Sequence, residues 1–296
     1  MLRTLTLCSG KGGVGKTLLT TTLARIIQKE TNGNVLLVDL DVTVRGLTLL
    51  TFQNKYALDQ VPVSFVDCLS RGSGEDTGVF EELRKNLFPN GGDEASPSLY
   101  QRLDKIFVLP SSTESERLDW AQLAQVDLER AIEKLSQVQS LVRDAANPSY
   151  LIFDTHAGLG NLSLAATTLS DLNLIVLEED DVSWRSALNM LLEITELKKQ
   201  RHGGSRSYFL ANKVGAKLSE VSGKLKAFSF LPPVPYDPWM QKLFSHATAA
   251  TLEKEFEHSD FFRFVHSQVW QEIATILGLT SVPARRAASL RSWWNG

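Results

Sequence analysis

Cysteine is almost missing from this chain: 296 residues carry two, Cys8 and Cys68. Two thiols are too few for a disulfide framework, and they do not form the close pair that a thiolate metal or cluster site uses. Cys8, at the end of an apolar run, reads as a small buried hydrophobe. Long hydrophobic runs are missing too, since no stretch approaches the roughly 18 apolar residues that a spanning helix needs. The first residues lack the pattern of a secretory leader, so the expectation is a soluble, cytoplasmic protein. Neither sign of charge is in excess: 31 Lys and Arg stand against 34 Asp and Glu, a net charge of −3. Bulk charge therefore does not recruit a polyanion, and only a local basic patch could. At 32.9 kDa the chain is long enough for one α/β domain with extensions.

What is present begins at Ser9. Ser9–Thr17 reads S-G-K-G-G-V-G-K-T and fits G-x-x-x-x-G-K-[ST], with Gly10 and Gly15 fixed, Lys16 the phosphate lysine and Thr17 the hydroxyl. Leu2–Cys8 before it is short, apolar and β-branched, as a buried strand is. Leu18–Lys29 after it places Leu19, Leu23, Ile26 and Ile27 on one helical stripe. A loop around phosphate oxygens points successive N–H groups inward, which asks for positive φ and no Cβ. Gly10, Gly12, Gly13 and Gly15 meet that demand, and the following helix adds its N-terminal partial charge. Gly10 to Leu18, with Lys11 and Val14 inside the loop, is thus the expected nucleotide-binding segment. Lys16 would bridge β- and γ-phosphates and Thr17 would ligate Mg²⁺. Lys11 is a second cation that one γ-phosphate does not need.

Further strands deliver polar residues. Val35–Val38 runs into Asp39-Leu40-Asp41, a carboxylate pair where open α/β sheets bind ligands, or a cap for the next helix. Alternation puts Asp39 and Asp41 on the same side. From Thr43 to Leu109 the pattern is less regular, with short helices over Val63–Leu69 and Phe80–Leu87 and a flexible surface loop over 89–98. Lys105–Ser111 reads as a strand, and Leu123–Arg143 as a covering helix with Leu128, Ile132, Leu135, Val138 and Val142 inward. Tyr150–Asp154 is an apolar strand ending in a carboxylate suited to hold Mg²⁺, followed by Thr155-His156-Ala157-Gly158-Leu159, a small segment suited to sense a γ-phosphate. His156 reads as a loop or interface residue rather than a base. Leu172–Leu177 is a buried strand whose trailing Glu178–Asp181 reads as a solvated loop and N-cap in preference to a metal site. Trp184–Lys199 should be a helix with Leu188, Leu191, Leu192, Ile194 and Leu197 inward. Ser207–Val214 is one more strand, bearing Asn212, whose amide can donate to and accept from a base edge. Trp239 begins a helix, and Phe256–Leu277 is an aromatic-rich last one.

K-G-G-V-G-K-T resembles the deviant Walker A signature of the ParA/MinD superfamily of P-loop ATPases. D-L-D, D-T-H-A-G-L and the strand-end asparagine follow in the family's order, so the resemblance runs from Met1 to about Leu279, with 280–296 a tail. It implies an α/β P-loop fold, a mostly parallel central sheet with helices on both faces, that binds ATP and Mg²⁺ and forms an ATP-dependent homodimer. In such a dimer Lys11 reaches the partner's nucleotide, Asp41 orients the hydrolytic water and Asp39 sits near the Mg²⁺ shell with Thr17 and Asp154. Lys11, Lys16 and Asp41 are then the catalytic set. The resemblance also implies that Asn212 binds the adenine and that the stretch holding Pro235 and Asp237 lines the base pocket. His156 departs from the proline common at that place. The function so implied is a slow, partner-stimulated nucleotide switch in positioning, partitioning or assembly, with a protein activator or cargo adaptor. The alternative is a metabolic or regulatory ATPase or phosphoryl-transfer enzyme of the same fold acting on a small molecule. In the tail, Ala287, Leu290, Trp293 and Trp294 share one helical sector flanked by Arg285, Arg286 and Arg291. Segment 284–296 therefore fits an anionic membrane surface, nonspecific DNA, or packing against protein.

Overall fold

The structure is a computed structural model that describes residues 2–52, 55–70, 76–87, 98–113, 126–144, 148–201, 204–215, 228–240 and 256–279. The loop over 89–98, save Ser98, the tail 280–296 and the continuation of the helix begun near Trp239 lie outside the described residues.

Seven strands form one sheet in the order β3-β4-β2-β5-β1-β6-β7. They are β1 Arg3–Ser9, β2 Asn34–Asp39, β3 Gln101–Leu103, β4 Ile106–Leu109, β5 Pro148–Ala157, β6 Leu172–Leu177 and β7 Arg206–Ala211. Every pairing is parallel except β3 with β4. β6 has no exposed position and β1 is buried from Thr4 to Ser9, so both faces of the sheet are covered and the strands read as continuous apolar runs.

Helix α1, Lys16–Thr31, buries Leu19, Leu23, Ile26 and Ile27 completely against β1, β2, β4 and β5. It stops at Asn32, which takes the left-handed conformation (φ 52°) that asparagine tolerates as a helix end. Short helices follow: α2 Gly46–Thr51, α3 Lys55–Asp59, α4 Phe65–Ser70 and α5 Asp76–Leu87. The N-terminus of α4 is satisfied by the turn after β4, where Pro110 and Ser111 carbonyls accept from Phe65 and Val66 at 2.8 and 2.9 Å. On the opposite face from α1 lie α6 Leu128–Asp144, α7 Asn161–Leu169 and α8 Asp181–Arg201, packed on β5, β1 and β6.

The chain departs from β1 toward β2 on one side of the sheet, and from β5 it crosses to β6 on the other. The carboxyl end of β1 is therefore a point where the winding reverses, and open α/β sheets form their ligand crevice at such a point.

Several sequence expectations shift. β3 was unforeseen, the strand at 105–111 shortens to Ile106–Leu109, and the strand at 207–214 ends at Ala211. Leu192 is 67% exposed; Ser183, Ala187, Met190 and Ile194 carry the buried face of α8, with Leu188 and Leu191 half-buried. The last helix starts at Asp260 and is divided into α9 Asp260–Phe264, a π-helical turn Val265–Val269 and α10 Trp270–Ile276.

The buried Tyr100 ties the start of β3 to the approach of α4: its hydroxyl donates to the Val63 carbonyl at 2.8 Å and accepts from the Val63 N–H at 3.2 Å. Tyr100→Phe should strand both backbone groups, costing about 1–3 kcal/mol. That corresponds to a melting temperature lower by about 2–6 °C. An unchanged melting curve would show that the tie contributes nothing.

Candidate functional site

The phosphate loop emerges from Ser9 at the end of β1, and its glycines have separate causes. A Cβ on Gly10 would lie 2.5 Å from the Ser186 Cβ and 2.7 Å from the Ser186 carbonyl, so the loop rests directly on α8. Gly13 and Gly15 take left-handed φ of 77° and 93°, and a Cβ on Gly15 would also meet Asn212 Nδ2 at 2.4 Å. Gly12 has neither constraint. Val14 is buried under the loop and Leu18 packs half-buried in the first turn of α1. Lys16 is nearly buried and donates to Ser9 Oγ at 2.8 Å, while that hydroxyl donates to the Lys11 carbonyl at 2.8 Å. Burial pulls the Lys16 pKa below the ordinary lysine range, against the pull of Asp154 and Asp41. A desolvated ammonium whose nearest partner is a hydroxyl gains most from an anion brought into the loop.

The base side is built by the ends of β6 and β7. Asn212, buried just beyond β7, donates from Nδ2 to the Val14 carbonyl at 2.7 Å, and its Oδ1 is buried with no hydrogen-bond partner. A buried acceptor left without a donor is chemically able to take one from a ligand beside the loop. Lys213, in the left-handed region at φ 56°, donates to the Gly13 carbonyl and to Glu178 Oε1, the latter at 2.8 Å. Pro235 pairs with Val214, so it lies beside this corner. Asp237 is turned to helix capping: Oδ1 accepts from Trp239 N at 2.9 Å and Oδ2 from Phe261 N at 3.3 Å.

Lys11 does not project freely. Its ammonium donates to Glu178 Oε2 at 2.9 Å and Asp180 Oδ2 at 2.8 Å. Asp180 caps α8, accepting from Ser183 N at 2.9 Å, and Glu179 to Asp181 are exposed, as expected of a solvated loop and N-cap; the ion pairs to Lys11 are an addition to that reading. Among the described residues no group of three or more His, Cys, Asp or Glu side chains is arranged to hold a metal ion. Lys213, Thr20 and Thr48 carry no expectation from the sequence, and for Glu178 and Asp180 the pairing with Lys11 is not among the sequence readings. Of these, Lys213 alone had a signal that could have found it, as the residue after the strand-end asparagine.

The acidic side lies in register across two strands, Asp39 on β2 opposite Asp154 on β5. Asp154 accepts from Thr17 Oγ1 at 2.7 Å and Thr20 Oγ1 at 3.0 Å, so its carboxylate meets the loop's hydroxyl directly. Asp39 is fully buried. Its Oδ1 accepts from Asp41 N at 3.0 Å, and its Oδ2 from Thr48 N and Oγ1 at 2.8 and 2.7 Å. Asp41 lies past the end of β2, partly exposed, and its Oδ1 holds the turn through Thr43 Oγ1 and Val44 N at 2.7 and 2.9 Å. Asp39 and Asp41 are thus in different surroundings rather than side by side. That turn leads to Gly46, where a Cβ would stand 3.3 Å from Thr17 Oγ1. His156 is exposed at the end of β5, and Gly158, at φ 99°, donates to the Ser9 carbonyl at 2.7 Å.

Burial, and next the neighbouring Asp154, push Asp39 up to about 7. Burial pushes Asp154 up to about 6, against Thr17 and Lys16. Both carboxyls hold a proton more tightly folded than unfolded. The stability this confers is complete below the ordinary carboxylate range and is lost as pH rises through about 6 and 7. In metal-free buffer, wild type should therefore lose stability relative to Asp39→Asn between about pH 5 and about pH 8, on the order of 1–3 kcal/mol. Parallel melting profiles for the two proteins across that range would contradict it.

The CobQ/CobB/MinD/ParA nucleotide binding domain family matches residues 5–237. An uncharacterised ATP-binding protein of Methanocaldococcus jannaschii is 24% identical over 250 residues, 83% of this chain and 79% of that protein. The septum site-determining protein MinD of Pyrococcus horikoshii, solved with Mg-ADP, is 20% identical over 95% of this chain and 100% of that one, with a TM-score of 0.64. McdA of Cyanothece, solved as an ATP complex, is 14% identical over 95% and 98%, with a TM-score of 0.67. These structural likenesses establish the P-loop α/β fold expected from the sequence. With the family match spanning most of its length, the chain belongs to the CobQ/CobB/MinD/ParA nucleotide-binding domain family.

Proposed function

We propose that this protein is a Mg·ATP-dependent ATPase of ParA/MinD type that dimerises on ATP and acts as a nucleotide switch in positioning or partitioning a cargo. The observation that carries the reading is the pair of loop lysines. Lys16 is desolvated inside the loop, whereas Lys11 stands at its rim, 36% exposed and held only by ion pairs. One buried lysine suffices for a nucleotide bound in its own subunit, and a rim lysine is suited to a phosphate presented by another subunit. Val44 and Leu159 on the turns after β2 and β5, and Val182 in the first turn of α8, exposed at 64%, 43% and 68%, add apolar surface. Such surface is ordinarily kept for contact with protein.

Under this reading Lys16 exchanges its hydrogen bond to Ser9 for phosphate oxygens, in a site dry enough to make that pairing strong. Thr17 and Asp154, with Asp39 behind them, would hold Mg²⁺, which supplies positive charge to the β- and γ-phosphates. Asp41 orients the attacking water, and Lys11 of one subunit completes the charge around the other's γ-phosphate. Asn212 takes the adenine amino group on its orphaned Oδ1. The Pro235 to Asp237 stretch contributes backbone to the base pocket, the Asp237 carboxylate being committed to its caps. MinD of P. horikoshii, a septum site-determining protein, supports a positioning role. For the surface addressed we favour an anionic membrane, on the tryptophan and arginine content of 284–296. Among the described residues no helix is long and apolar enough to cross a membrane.

Lys16→Ala should abolish ATP binding in calorimetry, and wild-type affinity in that variant would overturn the site. Asp41→Ala should keep nucleotide and accumulate dimer, because a water-orienting carboxylate acts chiefly in the transition state. Lys11→Ala should bind ATP as a monomer, and light scattering that finds it dimeric would refute the reading. Deleting 284–296 should remove Asp41→Ala dimers from sedimenting anionic liposomes; retention by duplex DNA instead would reassign the surface.

A further inference from the structure

The acids that hold Lys11 are built into the frame around the phosphate loop. Glu178 follows β6 directly, and its own N–H donates to Ser183 Oγ at 2.9 Å. Its two carboxylate oxygens are divided between lysines, Oε2 to Lys11 and Oε1 to Lys213. Asp180 divides its oxygens likewise, Oδ2 to Lys11 and Oδ1 to the first turn of α8. Glu179 Oε1 accepts from Gly215 N at 3.1 Å, fastening the same turn to the segment after β7. Lys213 continues the chain of contacts to the Gly13 carbonyl within the loop. Lys11 is thus clamped by two carboxylates of its own subunit, each fixed by a second contact. An ammonium held this way cannot at the same time reach a phosphate in another subunit.

We propose that Glu178 and Asp180 form a latch that holds Lys11 in its own subunit and must open before Lys11 can cross to a partner's nucleotide, so that the latch sets how readily the dimer forms. The inference rests on the dimer reading above, and assigns regulation to the same loop. Glu178 and Asp180 act as positioning residues, since neither touches the reacting phosphate. The two carboxylates raise the Lys11 pKa, Asp180 first and Glu178 next, which keeps the amine charged and slow to react as a nucleophile. Exposed ion pairs are worth little singly, so each latch would hold the closed arrangement by about threefold. A symmetric dimer opens two latches, and the effects multiply to roughly tenfold in the dimer dissociation constant.

The test uses the full chain and the double variant Glu178→Gln with Asp180→Asn. Both changes are isosteric, and asparagine preserves the N-cap. In the nucleotide-free protein, acetylation of Lys11 by acetic anhydride, followed by mass spectrometry with Lys199 as internal reference, should be about threefold or more faster in the variant than in wild type. With saturating Mg·ATP, the variant should dimerise at roughly tenfold lower protein concentration, a gap that narrows as salt screens the wild-type pairs. Equal acetylation rates would overturn the latch whatever the oligomeric state. Faster acetylation with an unchanged or weaker dimer would overturn its control of dimerisation. Wild type that stays monomeric at saturating ATP would overturn the dimer reading, while the acetylation rates still decide whether Lys11 is latched.

Discussion

The site depends on the in-register parallel pairing of β2, β5 and β1. That pairing sets Asp39 opposite Asp154, and Asp154 opposite Leu7, two residues before the phosphate loop begins at Ser9. A one-residue slip of β2 or β5 would turn its carboxylate, Asp39 or Asp154, from the site to the other face of the sheet. Because the strands are buried on both faces, the slip would also drive a charge into the apolar core, so register is enforced by the same burial that builds the fold. The cost is visible in the acids themselves. Asp39 and Asp154 are held with pKa values near 7 and 6, and Lys16 is pulled the opposite way by its own desolvation. Charges kept out of water before a ligand arrives are arranged for the ligand's charge, and the scaffold carries the strain through Thr17, Thr20 and Thr48.

Much of this was legible in the amino-acid order, for identifiable reasons. β6 and the inner stripe of α1 were readable because full burial makes their composition extreme. That Thr17 and Asp154 come together was foreseeable, since the motif's hydroxyl and the strand-end carboxylate were expected to share one ion. β3 was not, being three residues of mixed polarity, Gln-Arg-Leu, paired to an edge. Leu192 misled because the buried stripe of α8 runs through Ser183, Ala187, Met190 and Ile194, and two positions on from Met190 the helix has turned Leu192 to the far side. The cause of Gly10 was also hidden. Nothing local indicates that Ser186, 176 positions later, would stand where its Cβ belongs.

The acidic run after β6 shows the general form of what sequence conceals. Four consecutive carboxylates look like a solvated turn, and one of them does cap a helix. What gives Glu178 and Asp180 another character is the neighbourhood of β1 and β6, which brings a turn near position 180 beside a lysine at position 11. Only the strand order contains that fact.

Helix α8 draws these threads together. It touches the phosphate loop twice by unrelated means: Gly10 lies on Ser186 without room for a methyl group, and the Asp180 cap of the same helix binds Lys11. The first contact is steric and close to rigid, because a glycine backbone packed on a helix has no rotamer with which to yield. The second is electrostatic and soft, because partly exposed ion pairs exchange with solvent at small cost. The loop's backbone is thereby fixed to α8 while its outer lysine is only detained there. If Lys11 is released to a partner subunit as proposed, the loop needs that division between a rigid contact that keeps its cradle and a yielding one that frees its cation.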